Sequence, residues 1–208
     1  MKINKYAVVL STVLSLSGVS ASYADDIQAT KVAKGSAEAG AGHSVTLFGN
    51  PVPLLGEPVR VGEPLPAAMV TAGDLKPVNL AEGGGKVRII SVVPSLDTPV
   101  CEAQTHALSE KDRKLADQLE MITISMDLPF AQQRFAKEAK IKNVKFYSDY
   151  KTADFGNRNG LLLEPLRLLA RAVIVVDKGN VVRYLQVVPE ETELPDLPAA
   201  MAFAKTLL

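Results

Sequence analysis

Cysteine is nearly absent: the 208-residue chain carries one, Cys101. That excludes an internal disulfide, and with it the Cys-x-x-Cys pair through which thiol–disulfide oxidoreductases resolve their chemistry. Histidine is almost as scarce, at two residues. His43 falls in a flexible stretch, and His106 sits beyond Cys101 on an expected helix, projecting away from the sulfur. Two such residues make no converging metal set, so neither metal nor organic cofactor is implied. A charge surplus is also missing, with 23 basic and 23 acidic residues and no basic run, so nothing draws nucleic acid or an anionic membrane. No apolar run reaches the roughly 20 residues of a membrane span. There is no internal repeat and no sign of a second domain.

What is present begins with a leader pattern. Lys2 and Lys5 precede a largely apolar stretch, 6–19, and Ser22-Tyr23-Ala24 offers small residues before a cleavage point. Residues 1–24 therefore read as a secretory signal peptide, which implies a secreted or periplasmic protein. Without Lys2 and Lys5 the formal charge of the mature chain is about −2. Residues 25–43, rich in alanine, glycine and small polar residues, read as a flexible lead-in, and 44–208 as one domain with a proper core.

Within that domain, 45–48 and 52–55 read as short strands around a Gly49-Asn50-Pro51 turn, and 57–68 as an extended loop. The apolar run 87–93 is a strand with both faces covered, followed by a helix from Pro99. Residues 121–126 and 129–139 repeat the strand–helix pattern. Residues 171–176 and 181–187 flank the hairpin signal Asp177-Lys178-Gly179-Asn180, and 194–208 form a closing helix. This order is that of an α/β thioredoxin-like domain.

Cys101 is placed where a thiolate is easiest to stabilise. Thr98 can cap the helix and Pro99 suits its first position, which puts Cys101 third. First-turn N–H groups lack intrahelical partners and carry the positive end of the macrodipole. Only the thiolate is a useful nucleophile. Thr98 brings a hydroxyl within reach of the sulfur or of an oxygen beside it, and Pro94 can wall the site from water. The bland alternative is that Cys101 is a small buried hydrophobe, as lone cysteines often are. The helix-start position and an oxidising compartment favour reactivity.

The stretch Val93-Pro94-Ser95-Leu96-Asp97-Thr98-Pro99-Val100-Cys101 resembles the peroxidatic motif of the thiol peroxidase subfamily of peroxiredoxins. Residues 127–135 (DLPFAQQRF), 169–177 (LARAVIVVD) and the opening Phe48-Gly49-Asn50-Pro51-Val52 are similar to further segments of that subfamily, in the same order. The resemblance covers roughly residue 45 onward. It implies a peroxiredoxin fold with an N-terminal β-hairpin and a peroxidase reducing hydrogen peroxide and organic hydroperoxides. Cys101 would be the peroxidatic nucleophile, Thr98 the group orienting peroxide and thiolate, and Arg171 the second positive charge. Pro94 would shield the site, and the N–H groups of Val100 and Cys101 would complete the oxygen pocket. It further implies a homodimer formed near the active site.

Ala136 stands where most of the subfamily carries a resolving cysteine. The sulfenic acid at Cys101 would then be reduced by an external thiol, either a small thiol or a thioredoxin-like protein. A redox-sensing or binding module without sustained turnover is the alternative this same departure allows. Two other groups have bland readings. The acidic stretch 190–193 reads as a solvated loop, and the leucines of 161–163 and 166–169 as core, with a hydrophobic rim for an organic hydroperoxide or a dimer contact as the sharper option.

Overall fold

The computed structural model describes residues 30–83, 85–110 and 118–208. The expected signal peptide and the start of the lead-in lie outside the described residues. The chain runs as β1 (Ser44–Leu47), β2 (Asn50–Leu55), β3 (Met69–Thr71), β4 (Pro77–Asn79), β5 (Val87–Val92) and α1 (Pro99–Ser109). There follow β6 (Leu119–Ser125), α2 (Pro129–Glu138), β7 (Val144–Ser148), α3 (Asp154–Asn159), β8 (Leu162–Leu163) and β9 (Leu168–Leu169). β10 (Ala172–Val176), β11 (Val182–Val187) and α4 (Leu197–Lys205) complete it.

A seven-stranded sheet, in the order β11-β10-β5-β6-β7-β3-β4, forms the centre. β5, β6 and β7 are parallel neighbours, and β10 returns antiparallel to β5. Every residue of β5 is buried, as a central strand requires. Successive side chains alternate between two cores. Ile90 and Val92 join Ile122, Ile124, Ile174 and Phe155 on one face. Val87 and Ile89 join Leu108, Met121, Val173 and Met201 on the other, beneath α1 and α4. At about 1.5–3 kcal/mol for each large apolar side chain buried, these two layers supply the main force fixing the sheet.

The thioredoxin-like α/β architecture expected from the sequence is the one observed, with shifts at particular elements. The first hairpin turns through Phe48 and Gly49, both at positive φ, one residue earlier than the Gly49-Asn50-Pro51 reading. The closing helix starts at Leu197 rather than 194, because Asp196 caps it by accepting the Ala199 N–H at 2.8 Å. The described part of the lead-in, 30–43, is not free. Ala37 N–H donates to Val187 O at 2.8 Å, and Ala33 N–H to Leu194 O at 2.8 Å, so the segment lies along β11. Its small residues allow that close approach.

Candidate active site

The strand–loop–helix passage from β5 to α1 is held from the neighbouring strand. Asp127, just after β6, accepts the Leu96 N–H at 2.7 Å and the Ser95 hydroxyl at 2.8 Å. Pro99 opens α1, and Cys101 is its third residue, as the sequence predicts. Thr98 occupies the capping position, and its carbonyl accepts the Glu102 N–H at 3.0 Å. Its hydroxyl does not cap, which corrects the expectation: it donates instead to Ser95 O at 3.1 Å. Among the described residues no group accepts the N–H of Val100 or Cys101, so both remain available at the helix start.

Cys101 is fully buried, packed with Val93 and Leu96 against Phe135 and Phe146. Arg171, immediately before β10, is only 2% exposed, against the usual surface position of an arginine. Its guanidinium is divided among three acceptors. Nη2 donates to Cys101 Sγ at 3.4 Å, Nη1 to Gln104 Oε1 at 2.7 Å, and Nε to the Glu191 carbonyl at 3.0 Å. Gln104 is fixed in turn, its amide donating to Ser91 Oγ at 2.7 Å. Among the described residues no carboxylate stands in ion-pair contact with this guanidinium.

At the start of α1, adjacent in sequence to Cys101 but not lined by it, lies an apolar cavity of about 400 Å³. Pro94, Thr98, Val100 and Arg171 line it together with Leu163, Leu168 and the exposed Phe48. The leucine stretch thus divides its work. Leu161, Leu162, Leu163 and Leu169 are buried core, while Leu163, Leu166 and Leu168 also line the cavity. A larger groove of about 500 Å³ runs between α1 and α2 past His106 and Phe135; Cys101 lines neither space, and Arg171 lines only the smaller one. Among the described residues no three His, Cys, Asp or Glu side chains gather as a metal set.

The Redoxin family profile matches residues 60–201. A thiol peroxidase of Halalkalibacterium halodurans is 47% identical over 165 residues, spanning 79% of this chain and 99% of its own length. The chain belongs to the thiol peroxidase family. A second thiol peroxidase, from Staphylococcus aureus strain MRSA252, is 42% identical over 163 residues, covering 78% of this chain and 98% of its own. Among solved structures, a peroxiredoxin-like protein from Aquifex aeolicus matches with a TM-score of 0.73 at 40% identity, over 79% of this chain and 97% of that one. Mycobacterium tuberculosis AhpC, 19% identical with a TM-score of 0.62 over 73% of this chain, shares the fold.

The structure brings Pro94, Thr98, Val100, Cys101 and Arg171 of this thiol peroxidase family member to one place, and leaves His43 and His106 outside it. Two residues escaped the sequence reading. Gln104 carries a usable signal, since it stands three residues after Cys101 on the same helix face. Glu191 carries none, and the solvated loop expected at 190–193 is wrong there: Glu191 is 3% exposed. The cause is β1, whose Thr46 N–H and carbonyl pair with Pro189 O and Glu191 N–H at 2.8 Å each and pull the segment inward.

Proposed function

We propose that this chain is a one-cysteine thiol peroxidase that reduces hydroperoxides at Cys101 and is restored by an external thiol. The observation that carries the reading is the 3.4 Å contact between Arg171 Nη2 and Cys101 Sγ, both withdrawn from water. A buried guanidinium without a counter-charge costs several kcal/mol. The Cys101 thiolate is the anion that meets this one.

In the first step the Cys101 thiolate attacks the terminal oxygen of a hydroperoxide. An S–O bond forms as the O–O bond breaks. Two electrons pass from sulfur to the peroxide, and the departing oxygen takes a proton to leave as alcohol or water. Negative charge grows on the oxygens during this displacement. Arg171 and the free N–H groups of Val100 and Cys101 offset it. The Thr98 hydroxyl turns from the Ser95 carbonyl to the peroxide, and Pro94 keeps bulk water out. The product is a sulfenic acid at Cys101.

Ala136 offers no thiol, so an external one attacks the sulfenic sulfur, releasing water and forming a mixed disulfide. A second external thiol cleaves that bond, carrying away the disulfide and restoring Cys101. Because Cys101 is fully buried, the reductant needs the first turn of α1 to open. Export through residues 1–24 would put this cycle outside the cytoplasm, with a thioredoxin-like protein or small thiol as donor. Phe48, 79% exposed where it lines the cavity, supports a homodimer in which a second copy covers it.

The redox-sensing alternative is favoured by one fact, the single cysteine: a sulfenate without an internal partner can persist and recruit another protein. Peroxide consumption with excess thiol and catalytic protein separates the two. Many equivalents consumed per Cys101 support the peroxidase; consumption that stops at one equivalent leaves the sensor.

A further inference from the structure

Glu191 is a buried acid at the cavity wall that the peroxide-reducing steps above do not use. It touches Arg171 twice. Both carboxyl oxygens lie 3.0 Å from the Arg171 main-chain N–H, and its own carbonyl accepts Arg171 Nε at 3.0 Å. Its backbone is pinned to β1 through Thr46, so the side chain cannot readily leave. The carboxyl therefore sits beside the residue whose charge serves the sulfur, without forming an ion pair to the guanidinium.

We propose that Glu191 is a protonation-dependent positioning residue for Arg171. In either state it fixes the arginine backbone and, through its carbonyl, the guanidinium. With the carboxyl neutral, the positive field of Arg171 reaches Cys101 undiminished. Once ionised, the carboxylate offsets part of that field and opposes the negative charge growing on the leaving oxygen. The inference rests on the peroxidase reading and assigns its site a dependence on pH.

The surroundings define the sign. Burial beside the apolar cavity pushes the Glu191 pKa up to about 7, Arg171 opposes this, and the neighbouring Glu190 adds to it. Among the described residues the charged or titratable groups around it are Arg171, Cys101 behind that guanidinium, and Glu190 on its own segment. β1 presents Thr46, whose hydroxyl is taken by Glu190 at 2.8 Å. Among the described residues the rest of the cavity lining carries no charged side chain. A negative charge in so apolar a setting is felt more strongly than at a wet surface. The neutral form is thus the more active one, and the change falls near neutral pH.

The test is the second-order rate of Cys101 sulfenate formation with cumene hydroperoxide from about pH 5 to about pH 9, in the full mature chain. Relative to Glu191→Gln, the wild type is expected to lose about three- to tenfold in rate as pH rises through neutrality. Glu191→Gln, which keeps an acceptor for the Arg171 N–H, is expected to hold its acid-side rate and lose that decline. Glu191→Leu, also uncharged, is expected to be slower at every pH and likewise to show no decline. Superimposable profiles for wild type and Glu191→Gln would overturn the proposal. Absence of sulfenate in all proteins at all pH values is a different result, because it removes the peroxidase reading itself.

Discussion

Arg171 donates to the sulfur of Cys101 from inside the protein, and Gln104, one turn further along the same helix as that sulfur, holds the other arm of the same guanidinium. Helix α1 thus supplies both the nucleophile and the clamp that aims the arginine at it. Several measurable consequences come from this division.

Arg171→Ala is expected to slow sulfenate formation by about 10²–10³-fold, the size of losing an aimed donor to developing oxygen charge. Arg171→Lys is expected to recover little. A single ammonium cannot reach Glu191 O, Gln104 and the sulfur together. Stopped-flow rates with a trapping dione check both, and an alanine variant at the parent rate would remove Arg171 from the chemistry.

Gln104→Leu is expected to cost about 1–3 kcal/mol of stability, since it leaves an arm of a buried guanidinium unsatisfied. It should also slow peroxide reduction by about tenfold as the arginine loosens. Urea unfolding and the same rate assay report the two effects, and a stable, fully active variant would contradict the clamp.

The cavity at the start of α1 is lined almost wholly by apolar groups, so cumene hydroperoxide is expected to react faster than hydrogen peroxide. Leu168→Ser, which alters that wall without touching the sulfur's partners, should lower the rate with cumene hydroperoxide by about tenfold. The hydrogen peroxide rate should stay within about twofold. Equal losses with both substrates would mean the cavity does not hold the alkyl group.

Glu190 gives a stability test with a defined pH window. Burial alone would raise its pKa, but hydrogen bonds from Gly49, Thr46 and Thr192 outweigh it and hold the carboxyl at about 2 rather than 4.5. A folded pKa below the unfolded one contributes stability above about pH 4.5 that is lost as pH falls through about 2. Glu190→Gln is expected to destabilise by about 1–2 kcal/mol at neutral pH, with the difference closing near pH 2. A difference unchanged with pH would show that the hairpin does not depend on this charge.

Much of the fold and the centre of the site could be read from local pattern. The run 87–93, Pro99 and the 177–180 turn each carry their own signal, because burial period, helix start and hairpin geometry are local properties. β7 was missed because Lys145 breaks its apolar pattern, and β8 and β9 are two residues long, held only by pairing to distant strands. The same distinction applies at the site. Cys101 and Thr98 belong to one segment, whereas Glu191 is buried by β1, over 140 residues earlier. The role of Thr98 was misjudged at one point for a related reason. Its position specifies a cap, in which the hydroxyl accepts a helix N–H, but here the hydroxyl is turned to donate to the Ser95 carbonyl and accepts none.

The most direct test is the intact mass of the mature protein after one equivalent of cumene hydroperoxide, with and without a sulfenate-trapping dione. A peroxidatic Cys101 predicts rapid and complete formation of one dione adduct on that residue, and none in Cys101→Ser. A protein whose mass is unchanged after minutes would show Cys101 to be an inert buried thiol, and the peroxidase reading would be wrong.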